Sequence, residues 1–208
     1  MQGETDTSEN IDPLPLTALQ EQLLLHRMSK RSGPDPYVIH FVFRVSGPLD
    51  VQQLRLAAKR LIFIYPCFRT AFLPEGREKP VQVAMPEAPL DWREHDLSSL
   101  PPEQKTLELS AVIDSYKTAE FDLAVPPAVI FALVKLSADE HQLIMAYHHI
   151  ILDGWSVELL FNKFFEMYST PQDTWPSEPD SSFREYLEWL GTRDRNKALD
   201  AWHTAMAG

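Results

Sequence analysis

The chain has 208 residues, 44% of them hydrophobic, enough for the core of one ordinary domain, and no apolar run long enough to cross a membrane. Its formal charge of −11 speaks against a nucleic-acid partner, which would want a basic stripe. The one cysteine, Cys67, permits neither an internal disulfide nor a thiolate metal cluster, a usage that suits the cytoplasm.

Residues 1–10 are polar and acidic, unlike a signal peptide, and are expected to form a disordered tail. Thr17 and Gln20 have the spacing of a capping box, which predicts a helix from there to about Ser29. Gly33-Pro34-Asp35-Pro36 breaks it. Residues 37–46 are aromatic and β-branched and predict a strand, with His40 and Arg44 on one face and Phe41, Phe43 and Val45 on the other. Asp50 is placed to cap a second helix reaching Phe63, whose Leu54, Ala57, Ala58, Leu61 and Ile62 fall on one side.

Short strands are expected at 69–73 and 81–84, and Pro101-Pro102 opens a helix ending near Lys117. Residues 128–136 and 141–148 read as an antiparallel hairpin of central strands, given their continuous apolar content. Helices follow at 156–168, 183–190 and 194–206, with a long loop over 171–182. Helices and strands in this order predict an α/β class, an α+β sandwich with a mixed sheet flanked by helices.

The chemistry concentrates in Tyr147-His148-His149-Ile150-Ile151-Leu152-Asp153-Gly154-Trp155-Ser156, between the last strand and a helix. A lone buried histidine is usually a satisfied core residue. Adjacent histidines at a strand end point to opposite faces, so His148 and His149 should not chelate one ion, and no metal is expected. His149 is placed at a strand-to-helix turn, where an imidazole reaches a substrate while its backbone stays fixed. The N–H of Gly154, near a helix start, is placed to face developing negative charge, and the glycine permits a tight turn or a close backbone approach. Tyr147 and Trp155 are expected as aromatics of the core or of the wall of a site. His26, His40, His95, His141, His203 and Cys67 carry no motif and read as structural.

His148 to Gly154 matches in full the HHxxxDG signature of the condensation domains of nonribosomal peptide synthetases, within the chloramphenicol-acetyltransferase-like superfamily. Pro15-Leu16-Thr17-Ala18-Leu19-Gln20 resembles that family's opening LTxxQ motif, and Phe68-Arg69-Thr70-Ala71-Phe72 its LRTxF motif. Trp189-Leu190, Asp194 and residues 198–208 resemble the end of its first lobe, so the likeness runs from Ile11 to Gly208. The resemblance implies one lobe of a two-lobed domain with the active site between the lobes. The second lobe has no counterpart here, so 11–208 is read as an N-terminal subdomain, inactive alone.

The implied activity is amide bond formation between a donor thioester and an acceptor amine, each held on a peptidyl carrier protein by 4'-phosphopantetheine. No cofactor binds the chain directly. Implied partners are the donor and acceptor carrier proteins, the second lobe and neighbouring adenylation domains. His149 matches the family's catalytic histidine, as general base or as a group that orients the amine, with His148 in support. The resemblance assigns Asp153 a structural salt bridge to Arg69. Where the family carries an arginine-histidine pair before its second motif, this chain has Ile64-Tyr65. Competing readings are an epimerisation domain or another HHxxxDG acyltransferase, and a non-catalytic recruitment module. A heterocyclising relative is disfavoured, because its signature replaces the histidines by aspartate.

Overall fold

A computed structural model describes residues 13–29, 33–74 and 79–207. The expected disordered tail at 1–10 lies outside the described residues. The element order is β1 (Leu14–Pro15), α1 (Ala18–Ser29), β2 (Val38–Ser46), α2 (Val51–Ile64), β3 (Thr70–Leu73), β4 (Val81–Ala84), β5 (Trp92–Asp96), α3 (Pro102–Lys117), β6 (Val129–Lys135), β7 (Glu140–His148), α4 (Gly154–Ser169), α5 (Ser182–Gly191) and α6 (Arg195–Met206). A four-stranded sheet runs β2-β7-β6-β5, and a three-stranded one runs β1-β4-β3.

β2, β7 and β6 pair antiparallel, while β5 joins β6 in parallel, which makes the larger sheet mixed. The expected hairpin is β6–β7, and both strands are central. Their near-continuous burial follows from being covered on both faces. β5 was not anticipated: Trp-Arg-Glu-His-Asp lacks a clear apolar alternation, and it lies at the sheet edge, where one side of the ladder needs no partner.

Local signals set the helix starts. Thr17 N–H donates to Gln20 Oε1 at 3.0 Å and Gln20 N–H to Thr17 Oγ1 at 3.2 Å, the reciprocal pair of a capping box. Asp50 caps α2 by accepting from Gln53 N–H at 2.9 Å. The expected stripe Leu54, Ala57, Ala58, Leu61 and Ile62 is fully or nearly buried. α4 sends Val157, Leu160, Phe161, Phe164 and Met167 into the core, with Phe161 meeting Phe41 and Phe43 of β2. Packing of α4 on the sheet and on α2 holds its first turn beside the end of β7. That junction is the HHxxxDG segment.

Candidate active site at the end of strand β7

β7 ends at His148, and the chain turns through His149, Ile150 and Ile151 before α4 begins. His149 N–H donates to the carbonyl of Tyr37 at 2.8 Å, extending the β2–β7 ladder by one step. Its ring Nδ1 lies 2.7 Å from the carbonyl oxygen of Leu152. A carbonyl can only accept, so Nδ1 carries the hydrogen, and in the neutral ring Nε2 carries the lone pair. The side chain is half-buried, neither sealed in the core nor loose in water. The corner therefore presents a fixed imidazole with its basic nitrogen directed away from its backbone anchor.

His148 takes the opposite role. It is wholly buried, and its Nδ1 accepts from Ile150 N–H at 3.1 Å, which leaves Nε2 protonated. That N–H edge faces Asp35 Oδ2 at 3.5 Å, a charge contact longer than a well-formed hydrogen bond. Burial pushes the His148 pKa down, with the Asp35 carboxylate offsetting part of the effect. The ring is thus kept neutral in the fold. Because unfolding lets it take up a proton, its contribution to stability is complete above the ordinary histidine value and is lost as pH falls below it. As expected from the strand period, the two histidines engage different partners. Among the described residues there is no group of three or more His, Cys, Asp or Glu able to hold a metal.

Asp35 and Arg27 were not recognised as site residues from the sequence. Asp35 read only as a helix breaker, yet its carboxylate is 7% exposed and bonded to Arg27 Nε at 3.0 Å and Tyr37 N–H at 3.0 Å. Its setting between two prolines just ahead of a strand was the available signal. Gln20 also does more than cap α1. Its Nε2 reaches the Ile150 carbonyl at 3.3 Å, and its Oε1 accepts from Gln82 Nε2 at 3.1 Å, so the opening motif braces the HHxxxDG turn.

The implied salt bridge is corrected by the structure. Asp153 is exposed and caps α4, accepting from Ser156 N–H at 2.8 Å. The Arg69 guanidinium instead donates to the carbonyls of Met85 and, at 3.2 Å, Phe63. Arg69 and Asp153 form no ion pair with each other. A capping carboxylate needs no distant cation, since the helix N-terminus supplies N–H donors and positive potential. Those bonds hold the Asp153 pKa below its usual range. The stabilisation is present above the ordinary aspartate value and fades as pH falls through the lowered one.

Asp153→Ala is accordingly expected to cost about 0.5–2 kcal/mol as a lost cap. Arg69→Ala, which removes the donor to two part-buried carbonyls, should cost about 1–3 kcal/mol. Urea denaturation of both single variants and the double variant should give costs that add to within about 0.5 kcal/mol. A coupling well above that would reinstate the ion pair.

Gly154 also departs from expectation. It is the first residue of α4, and a Cβ built on it would meet no atom within 4 Å, so neither a strained turn nor a close backbone approach calls for glycine here. Its N–H still lies in the first helical turn. Tyr147 is a core residue at 2% exposure, whereas Trp155 is 84% exposed and no part of the core. Burial pushes the Cys67 thiol up to about 12, in keeping with an inert structural cysteine.

The sequence model of one family, the Condensation domain, matches residues 10–208. A linear gramicidin synthase from Brevibacillus parabrevis is 31% identical over 196 residues, a match covering 93% of this chain and 4% of that relative. Gramicidin S synthase 2 of Brevibacillus brevis is 28% identical over 197 residues, covering 92% of this chain and 4% of its own length. The chain thus spans a small fraction of the curated relatives it matches. Among solved structures, the EpoB cyclization-docking bidomain from Sorangium cellulosum superposes with a TM-score of 0.81 at 22% identity, over 96% of this chain and 40% of that one. The first condensation domain of the CDA synthetase superposes with a TM-score of 0.65 at 23% identity, over 76% and 39%. These likenesses agree with the fold expected from the sequence. No helix among the described residues is long and apolar enough to cross a membrane.

Proposed function

Because this chain belongs to the condensation domain family, we propose that it is the N-terminal lobe of such a domain and supplies the proton-handling wall of an amide-forming centre. The observation that carries this reading is the Nδ1–H bond from His149 to Leu152, which leaves the Nε2 lone pair for an incoming amine. A neutral acceptor amine attacks the donor thioester carbonyl, a C–N bond forms, and the carbonyl oxygen gains negative charge. The nitrogen must lose one proton before or as the C–S bond breaks. His149 Nε2 accepts it or holds the amine in line by a hydrogen bond, and the proton is passed to the departing thiolate. In this reading the first-turn N–H of Gly154 faces the developing oxyanion, supported by its position at the N-terminal end of the α4 dipole.

In this reading 4'-phosphopantetheine arms on donor and acceptor peptidyl carrier proteins deliver both substrates as thioesters, in the cytoplasm. A second lobe closes the tunnel, and adenylation domains load the carriers. Exposed Trp155 and Leu159 on α4 fit a wall that another element covers. The retained histidines of the signature keep the heterocyclising reading disfavoured, since the likeness to a cyclization bidomain is one of fold.

The test is a single-turnover assay with donor and acceptor carrier proteins loaded with aminoacyl groups. The complete domain containing this chain should release an amide-linked product on the acceptor carrier, and the 208-residue chain alone should release none. Inversion of the donor's α-carbon without amide formation would replace the reading with epimerisation. Transfer to neither carrier would favour a recruitment module.

A further inference from the structure

Asp35, outside every recognised motif, is the point where the supports of the catalytic corner converge. A carboxylate at 7% exposure is stable only with donors around it. Two donors and one longer contact surround this one: Arg27 Nε from the last turn of α1 at 3.0 Å, Tyr37 N–H at 3.0 Å, and the N–H edge of His148 Nε2 at 3.5 Å, beyond a well-formed hydrogen bond. Two chains of contact lead from it to His149. One runs through the Tyr37 peptide, whose N–H is held by Asp35 and whose carbonyl accepts His149 N–H at 2.8 Å. The other runs through the His148 ring, whose Nδ1 holds Ile150 N–H at 3.1 Å and so shapes the turn just after His149. The Tyr37 phenol is pinned in turn to His26 Nδ1 at 2.8 Å, which ties the same peptide to α1.

The geometry points to Asp35 as a positioning residue for condensation, anchored by Arg27 and acting through Tyr37 and His148 on the backbone that presents His149; this rests on the reading of His149 as the proton-handling group. The Asp35 carboxylate is almost closed off from solvent, so its loss is expected to change how His149 is aimed rather than how a carrier binds. Misaiming by about 1 Å costs on the order of 10²-fold in rate. A purely structural ion pair would behave differently. It would lower the folded fraction and leave the turnover of folded molecules as it was.

Asp35→Asn separates the two. Its single carbonyl oxygen can replace only one of the two carboxylate oxygens that accept from Arg27 and Tyr37, and its NH2 then opposes the other donor. In the complete domain with loaded carrier proteins, kcat should fall by about 10²-fold, while KM for the acceptor carrier stays within about threefold. Amide hydrogen exchange at His149 and Ile150 should speed up relative to the core of β6. Arg27→Gln, at a side chain 36% exposed and therefore milder, should shift kcat and exchange in the same direction by less.

Unchanged kcat and unchanged exchange in folded Asp35→Asn would overturn the positioning role. If that variant does not fold, the same null result in Arg27→Gln overturns it. Should His149→Ala keep forming amide, the reading of His149 falls, and the exchange result still decides whether Asp35 shapes the corner.

Discussion

His149→Ala in the complete domain is expected to lower single-turnover amide formation by about 10²–10⁴-fold, the range contributed by a positioned general acid or base. The ring is half-buried at a turn, so its removal leaves the apolar core untouched. The cost to the fold is one hydrogen bond, from Nδ1 to the Leu152 carbonyl, worth on the order of 1 kcal/mol. Activity and stability should therefore separate: circular dichroism and the thermal midpoint stay near wild type while product is lost. Binding of the loaded carriers, measured by calorimetry, should persist. Amide formation within about threefold of wild type would remove His149 from the chemistry.

Phe164→Ala is expected to have the largest effect on stability. Phe164 is 0% exposed in α4, with its ring 6.0 Å from that of Phe131 in β6 and 5.3 Å from that of Phe165. Truncating a buried phenylalanine removes apolar burial and leaves a cavity that the sheet cannot close, a loss of about 3–5 kcal/mol. The same helix begins with the Asp153 cap and Gly154, so loosening it also disturbs the turn after His149. Activity should fall in proportion to the folded fraction in a urea titration. A cost below about 1 kcal/mol would mean that the α4–sheet interface is not packed as described.

What was legible in the sequence was local. Caps at Thr17 and Asp50 are written within three residues of the donors they satisfy, and each begins its helix as expected. The period-2 pattern of Phe41, Phe43 and Val45 and the apolar runs of β6 and β7 placed the sheet, because burial leaves its mark on every second or every residue. The HHxxxDG corner was legible because a strand, a turn and a helix cap lie in one short stretch.

The contacts that brace that corner join residues far apart in the chain. Asp35 meets His148 across the ends of β2 and β7, and Gln20 meets Ile150, with no local pattern to betray either pair. The Arg69–Asp153 pairing came from resemblance alone, and the nearer donor, Ser156 N–H, took the carboxylate. β5 escaped notice because an edge strand with polar residues carries little periodicity.

The tautomer of His149 bears on the whole mechanism, and its ring 15N resonances report it directly at neutral pH. A protonated Nδ1 with an unprotonated Nε2 is the expected spectrum. The reverse, with hydrogen on Nε2 and the lone pair turned toward Leu152, would leave no base facing the amine and would contradict the role assigned to this residue.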